Sequence, residues 1–256
     1  MWGPLGGYVA AVALRAAGAE TSLARPASFS CAFLSMARFG EVEISVDTLR
    51  RGRRSHALAL RMEQEGKPIL AGQAWAVDAG MKGFEHDFAQ APEVPAADRL
   101  RSFSELADDY DQWYPLWQTV EGKPVEWRQG PSDPTWHCWM RLNETPALHA
   151  DPWLDAARTA MWMDLMMWNG AIPPHFSSDG PRPLEYLAPN LDLACTFHAA
   201  APDPEWLLCE AHAPVAAEGI VGCQGRVWTP TGALVATGTS TLFCRPNPLA
   251  GTAAGG

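Results

Sequence analysis

The stretch GPLGGYVAAVALRAAG, residues 3–18, decides the fold of the chain. Two adjacent glycines, Gly6 and Gly7, lead directly into an apolar run whose single charged residue is Arg15. A surface helix carries polar residues along one side, whereas a helix that is apolar almost all round must be covered on nearly every side. The sequence therefore predicts a glycine turn and a helix that the rest of the chain surrounds.

The second half of the chain contains a helix of the same kind. Asp151-Pro152 is a typical helix start, with the aspartate as N-cap and the proline in the first turn. The run PWLDAARTAMWMDLMMWNG, residues 152–170, predicts an apolar helix that ends at Gly170. Residues 25–78 follow the first helix and residues 188–246 the second, both with strand-like alternation and a glycine hairpin turn. The chain therefore repeats the order helix, strand, strand, long strand, hairpin and strand.

This repeat predicts an α+β fold in which an antiparallel sheet wraps each long helix. Residues 1–79 form the first repeat and residues 136–256 the second. Between them, residues 80–135 are rich in Pro, Asp and Glu and contain Trp113, Trp117 and Trp127. We expect this connector to run over the surface, because it has no core of its own.

The composition excludes several classes of protein. A formal net charge of −10 argues against a duplex nucleic acid as partner. Six cysteines without a CxxC pair predict free thiols and a reducing, cytoplasmic location. The seven histidines lack metal-site spacing, so neither a metal nor a cofactor is expected. We find no signal peptide, membrane span, GxSxG elbow, P-loop or GxGxxG motif.

Several segments together resemble the double hot-dog acyl-CoA thioesterases, the thioesterase II-like family. The first repeat contributes GGYVAA, residues 6–11, and LRRGRRSHALALRMEQEGKPILAGQA, residues 49–74. The second contributes PNLDLACTFH, residues 189–198, with residues 205–228 and 231–246. The resemblance implies two hot-dog repeats side by side and hydrolysis of an acyl-CoA to free acid and CoA. It also implies a strand before the glycine turn, where only residues 1–5 stand, so we expect a first strand that is absent or lies upstream.

The resemblance also assigns roles to particular residues. A carboxylate on the second helix activates water, which places the base at Asp164. A hydroxyl or amide that assists it falls at Asn190, and a glutamine in the last strand falls at Ser240 or Thr241. The turn Gly6-Gly7, with Tyr8 beside it, is implied to contact the substrate and polarise the thioester carbonyl.

The residues themselves leave alternatives open at these positions. Asp164 is surrounded by Met and Trp, which predicts burial and a raised pKa, although an exposed polar stripe with Asp155 and Arg158 is the other reading. Asn190 suits a strand-start turn as well as a catalytic amide. Thr241 is also an ordinary strand former, and Asp192 is either a second pocket carboxylate or the partner of an arginine. The cluster Arg50, Arg51, Arg53 and Arg54 suits either CoA phosphates or solvent.

Three functional hypotheses follow. The first is an acyl-CoA thioesterase with an Asp164-activated water. The second is an acyl-CoA-binding module of little or no activity, because Ser240 and Thr241 replace the family glutamine. The third is a structural subunit, since hot-dog sheets readily pair into homo-oligomers.

Overall fold

A computed structural model describes residues 3–110, 115–127, 132–144, 151–175, 185–201 and 206–247. The two long helices are α1 (Gly6–Ala19) and α3 (Pro152–Ala171), and a short helix α2 (Phe103–Leu106) lies between them. The strands are β1 (Arg25–Phe33), β2 (Glu43–Arg51), β3 (Ser55–Gln64), β4 (Lys67–Val77), β5 (Val120–Pro124), β6 (Thr135–Leu142), β7 (Tyr186–Leu187), β8 (Asp192–Phe197), β9 (Leu207–Ala217), β10 (Ile220–Trp228), β11 (Leu234–Phe243) and β12 (Arg245–Pro246).

Ten strands form one antiparallel sheet in the order β2-β3-β4-β1-β8-β11-β10-β9-β6-β5, while β7 and β12 pair separately. The two repeats join where β1 lies against β8, with Ser30 opposite Ala194. The helices pack on one face of this sheet. The predicted α+β double hot-dog architecture is confirmed.

Tight hairpins link the long strands. Glu65 and Gly66 have φ values of 53° and 72°, and Glu218 and Gly219 have 52° and 79°. Two successive left-handed residues match the twist of the strands on either side of a hairpin. The turn predicted near Gly66 is therefore present between β3 and β4.

The two long helices are as enclosed as their apolar sequences predict. In α1, only Tyr8, Arg15 and Ala19 are exposed, and 15 of the 20 residues of α3 are buried. The helices run antiparallel, since the start of α1 meets the middle of α3 and Gly18, near the end of α1, meets Trp153. Small side chains on both helices, among them Ala10 and Ala13, allow this close approach.

The end of α3 differs from its prediction. The helix continues through Gly170 to Ala171, so Gly170 does not terminate it. A Cβ atom at Gly170 would lie 3.0 Å from the Cβ of Ala211 on β9. The glycine therefore serves the close contact between helix and sheet.

In the described part of the connector, residues 91–100 cover the outer face of the second repeat. Ala91, Val94, Ala97 and Leu100 pack on a cluster of Trp139, Leu208 and Trp228. The indole Nε1 of Trp139 donates a hydrogen bond of 2.9 Å to the Pro95 carbonyl. Trp117 and Trp127 pack against the core, whereas Trp113 lies outside the described residues.

The edges of the large sheet are formed differently in the two repeats. In the second repeat, β6 precedes α3 and pairs with β9. Within the described part of the chain, no strand precedes α1, and β2 forms the edge of the sheet. None of the described helices is both long and apolar enough to cross a membrane.

A pair of facing glycines makes room for α3 above the sheet. Gly225 on β10 lies opposite Gly238 on β11. A Cβ atom at Gly225 would lie 2.5 Å from the Sδ of Met163, and one at Gly238 would lie 2.8 Å from its Cγ. The missing side chains thus form the groove that Met163 occupies.

We expect Gly238→Ala to destabilise the protein by about 1–3 kcal/mol, because the added methyl group would lie 2.8 Å from Cγ of Met163 on the packed helix and 2.6 Å from the Ala194 carbonyl oxygen on the neighbouring strand. Chemical denaturation measures the free energy of unfolding. Gly222→Ala on β10 is the matched control, since nothing lies within 4 Å of a Cβ atom there. Equal losses in the two variants would contradict the assigned role of Gly238.

Candidate active site

The carboxylate of Asp164 lies where α3 meets the first turn of α1. The residue is 7% exposed. The backbone N–H of Gly7 donates a hydrogen bond of 2.6 Å to its Oδ2 atom. The side-chain Nδ2 of Asn190 donates to its Oδ1 atom at 2.5 Å and to its backbone carbonyl at 3.1 Å. Three residues distant in sequence are therefore brought together at one buried charge.

The two glycines of the opening stretch permit this contact. A Cβ atom at Gly7 would lie 2.8 Å from the Met161 carbonyl oxygen and 2.9 Å from the Cβ of Asp164. A Cβ atom at Gly6 would lie 3.1 Å from Oδ1 of Asp164. The helix start also carries free N–H groups and a partial positive charge, both of which favour a carboxylate.

Burial raises the pKa of Asp164 to about 6, whereas the hydrogen bonds from Asn190 and Gly7 lower it and offset part of that effect. A carboxyl group with such a pKa is mostly ionised at pH 7.5 and mostly protonated at pH 5. The group can therefore accept a proton near neutral pH, as a general base must.

The orientation of Asn190 follows from its partners. Both contacts to Asp164 involve oxygen acceptors, so the amide nitrogen must face the carboxylate. The Oδ1 atom of Asn190 is left buried without a hydrogen-bond partner in the described structure. A buried acceptor beside a carboxylate is well suited to accept a hydrogen bond from a water molecule.

The exposed-stripe alternative for Asp164 is wrong. Asp164, Asp155 and Arg158 are all buried. Asp155 and Arg158 form an ion pair of 2.9 Å with each other and also bond the backbone of Ala201. They stabilise the join between α3 and the end of β8, away from Asp164.

Ser240 and Thr241 make hydrogen bonds to Asp192. The buried Ser240 hydroxyl donates to the Asp192 carbonyl at 2.6 Å, and the Thr241 N–H donates to Oδ1 of Asp192 at 2.7 Å. No hydrogen bond among the described residues joins either side chain to Asp164. The Asp192 carboxylate accepts a backbone hydrogen bond and, in the described part of the chain, has no arginine partner.

Two thiols that the sequence did not single out lie near the carboxylate. Cys31 on β1 and Cys195 on β8 are buried on the helix side of the sheet. Burial, and secondly the charge of Asp164, raise the pKa of both thiols. They are therefore protonated at neutral pH. The register of β1 against β8 places both thiols near Asp164. In the sequence, only the alternation of apolar and polar residues within each strand could have indicated that these cysteines point inward.

Tyr8 and the arginine cluster lie differently with respect to the site. Tyr8 follows Gly7 directly and its side chain is exposed. The arginines surround the turn between β2 and β3, where Ser55 and Arg25 both lie opposite Val77. Since Arg25 begins β1 and the Asp164 site lies near Phe33 at its end, the cluster is at the opposite end of the first repeat.

Two family models match the chain. The N-terminal domain of acyl-CoA thioesterases matches residues 1–77, and the C-terminal domain matches residues 87–243. The chain belongs to the acyl-CoA thioesterase family. No curated protein matches it in sequence.

Several solved structures have the same fold as this chain. A hot-dog protein of unknown function from Alicyclobacillus acidocaldarius is 22% identical with a TM-score of 0.78, covering 95% of this chain and 88% of its own. The acyl-CoA thioesterase II TesB2 from Mycobacterium marinum is 22% identical with a TM-score of 0.78, covering 94% and 89%. A protein from Novosphingobium aromaticivorans that is described as a thioesterase is 24% identical with a TM-score of 0.74, covering 94% of this chain and 90% of its own.

Because this thioesterase-family chain consists of two repeats, the first repeat has a position equivalent to Asp164. That position holds no carboxylate. Gly18 and Asp164 are each the thirteenth residue of their helix, and Gly7 and Trp153 are each the second. A Cβ atom at Gly18 would lie 2.6 Å from Cγ of Trp153. The indole, whose Nε1 donates to the Leu23 carbonyl at 3.2 Å, fills the repeat-related space. The described chain therefore has one such carboxylate site, not two.

We expect Gly7→Ala to move the start of α1 away from α3 and lengthen the N–H contact to Asp164. Activity on acyl-CoA should fall at least tenfold, and the pH at which activity is half-maximal should rise, because a bond that lowers the pKa of Asp164 is weakened. Thiol release measured from pH 5 to 8 tests this. Gly83→Ala is the control, since nothing lies within 4 Å of a Cβ atom there. Unchanged activity in Gly7→Ala would refute the assignment of the Gly7–Asp164 contact to the active site.

Proposed function

We propose that this chain hydrolyses acyl-CoA thioesters to free acid and CoA, with Asp164 as general base. The observation that supports this most is a buried carboxylate with a pKa of about 6, held between the Gly7 N–H and the Asn190 amide. A base with a pKa slightly below working pH combines the ionised form with useful basicity. Membership in the thioesterase family supplies the substrate class.

In the proposed reaction, a water molecule lies between Asp164 and Asn190. One water proton bonds the Asp164 carboxylate and the other bonds Oδ1 of Asn190, which leaves an oxygen lone pair directed at the thioester carbonyl. Asp164 takes the first proton as the carbon–oxygen bond forms. The tetrahedral intermediate then expels CoA thiolate, which receives that proton, so the products are a carboxylic acid and a thiol.

The same geometry suggests which N–H groups stabilise the oxyanion. The Gly7 N–H already bonds Asp164, and the Val9 N–H bonds the Leu5 carbonyl at 3.1 Å. In the described structure, the N–H groups of Gly6 and Tyr8 have no such partner. We assign the carbonyl of the substrate to one of these two groups at the positive end of α1.

Cysteine nucleophiles fit this site less well. The raised pKa values of Cys31 and Cys195 keep both thiols neutral at the pH where Asp164 is ionised, and a neutral thiol is a weak nucleophile. Six free cysteines, five of them buried, suit a reducing cytoplasmic location, which we include in the proposal. We also propose a role in fatty acid metabolism, on the ground of the acyl-CoA substrate class alone.

Asp164→Asn is expected to reduce thiol release from acyl-CoA by 10²–10⁴-fold, the range typical of a lost general base. A panel of short, long and aromatic acyl-CoAs with colorimetric thiol detection measures the loss. Asp192→Asn is the matched control, since an amide oxygen can still accept the Thr241 N–H. Retention of full activity in Asp164→Asn would exclude this residue as the base.

Activity is expected to fall about tenfold per pH unit below pH 6, because protonation removes the base form of Asp164. Asn190→Ala deletes a hydrogen bond that stabilises the ionised carboxylate, so its profile should shift to higher pH. Measuring kcat against pH for both proteins, with circular dichroism to confirm folding, tests the assignment. A flat wild-type profile between pH 5 and 7 would contradict it.

A second candidate function is an acyl-CoA-binding module with little turnover. It is favoured by Ser240 and Thr241, where the resemblance implies the family's glutamine and which are bonded to Asp192 instead. Calorimetric binding of acyl-CoA without thiol release would support it. The third candidate, a purely structural subunit, predicts no acyl-CoA binding.

A further inference from the structure

The aromatic ring of Phe33 lies against the same helix start that holds Asp164. Phe33 is the last residue of β1 and packs against the core. A Cβ atom at Gly6 would lie 3.2 Å from Cζ of Phe33, and 3.1 Å and 3.3 Å from the two carboxylate oxygens of Asp164. The tip of the ring and the carboxylate therefore border the same small space beside Gly6.

The position of this ring is fixed by pairing on both sides of its strand. Phe33 lies opposite Leu70 of β4, and its N–H donates a hydrogen bond of 2.9 Å to the Leu191 carbonyl, just before β8. Phe29 and Cys31, both buried, precede it on the helix side of β1 at the alternation of a strand. The middle of the large sheet, and not one of its edges, therefore holds the ring in place.

The space beside Gly6 is too small for one added methyl group. Carbon atoms that are not bonded to each other pack best at about 3.5–4.0 Å, whereas a Cβ atom here would lie 3.2 Å from the ring carbon. Close packing of the core lets the surrounding side chains give way only slightly. The Phe33 ring therefore limits the width of any group that binds beside Gly6.

The reacting carbonyl of the substrate lies next to this space in the proposed reaction. Water held by Asp164 attacks the carbonyl carbon, and the N–H of Gly6 is one of the two groups to which we assign the carbonyl oxygen. The acyl group and the sulfur are both bonded to that carbon. An apolar ring suits the acyl group, whereas the pantetheine arm of CoA carries amides that need hydrogen-bond partners.

We propose that Phe33 determines the acyl specificity of this site: its ring admits acyl groups that are unbranched at the carbon next to the carbonyl and excludes those with a second substituent there. The inference rests on the proposed function, since it concerns the same carbonyl. A branching methyl group has to enter the space that is already too small for a Cβ atom at Gly6. Shortening the Phe33 side chain removes this obstacle and touches neither of the hydrogen bonds that hold the Asp164 carboxylate.

Pairs of isomeric acyl-CoAs, such as butyryl with isobutyryl and octanoyl with 2-methylheptanoyl, test the proposal because they differ only in branching. The wild-type kcat/KM should favour the straight-chain isomer at least about tenfold, the effect of one misplaced methyl group in an apolar pocket. Phe33→Leu should lower this ratio, and Phe33→Ala should bring it to about one. Leu34→Ala is the matched control: it shortens the next side chain, which is exposed, and should keep the wild-type ratio.

Circular dichroism checks the folding of each variant, and Phe33→Leu keeps an apolar side chain, so the test does not depend on Phe33→Ala alone. Hydrolysis that requires Asp164 but shows no preference for the straight-chain isomer would overturn this proposal only. A preference that the folded Phe33 variants leave unchanged, or that Leu34→Ala lowers equally, would do the same. Absence of thiol release from the whole panel would instead overturn the proposed function, and this inference with it.

Discussion

The contact between Gly7 and Asp164 sets the distance between the two long helices, and most of the structure is arranged to maintain it. The N–H at the start of α1 meets the carboxylate on α3 at 2.6 Å, which leaves no room for a side chain at Gly7. Alanines along both helices allow the same approach farther on. Because both helices are apolar almost all round, the sides that do not face the other helix also need cover, and the ten-stranded sheet provides it.

The carboxylate at this contact is under opposing influences. Burial favours its neutral form, and two hydrogen bonds favour its charged form. The balance leaves a pKa of about 6, so the group is mostly ionised at pH 7.5 and mostly protonated at pH 5. A folded state with such a group loses stability as pH rises from the unfolded pKa of 3.8 through about 6, because ionisation is harder inside the protein than outside. The proposed base is thus kept at a cost to stability that a neutral residue would avoid.

The sequence predicted the parts of the fold that depend on local pattern. The N-cap at Asp151, the apolar periods of both helices and the hairpin at Gly66 are visible in short windows. Contacts that depend on register were not predictable in this way. Gly170 resembles a helix stop, but its lack of a side chain serves contact with Ala211. Likewise, the partner of Ser240 and the nearness of Cys31 and Cys195 to Asp164 depend on how β8 aligns with β1 and β11, and no single window contains that information.

The indole of Trp153 above Gly18 has a consequence for how this chain changes over time. A dimer of two identical repeats would have two equivalent positions, and every substitution would alter both. In this chain one position holds a carboxylate and the equivalent position is filled by a tryptophan, so the two halves are no longer interchangeable. The first half supplies the Gly7 N–H group and the second half supplies the carboxylate that accepts its hydrogen bond. A single polypeptide that holds both halves can differ at the two positions, which two copies of one repeat cannot do.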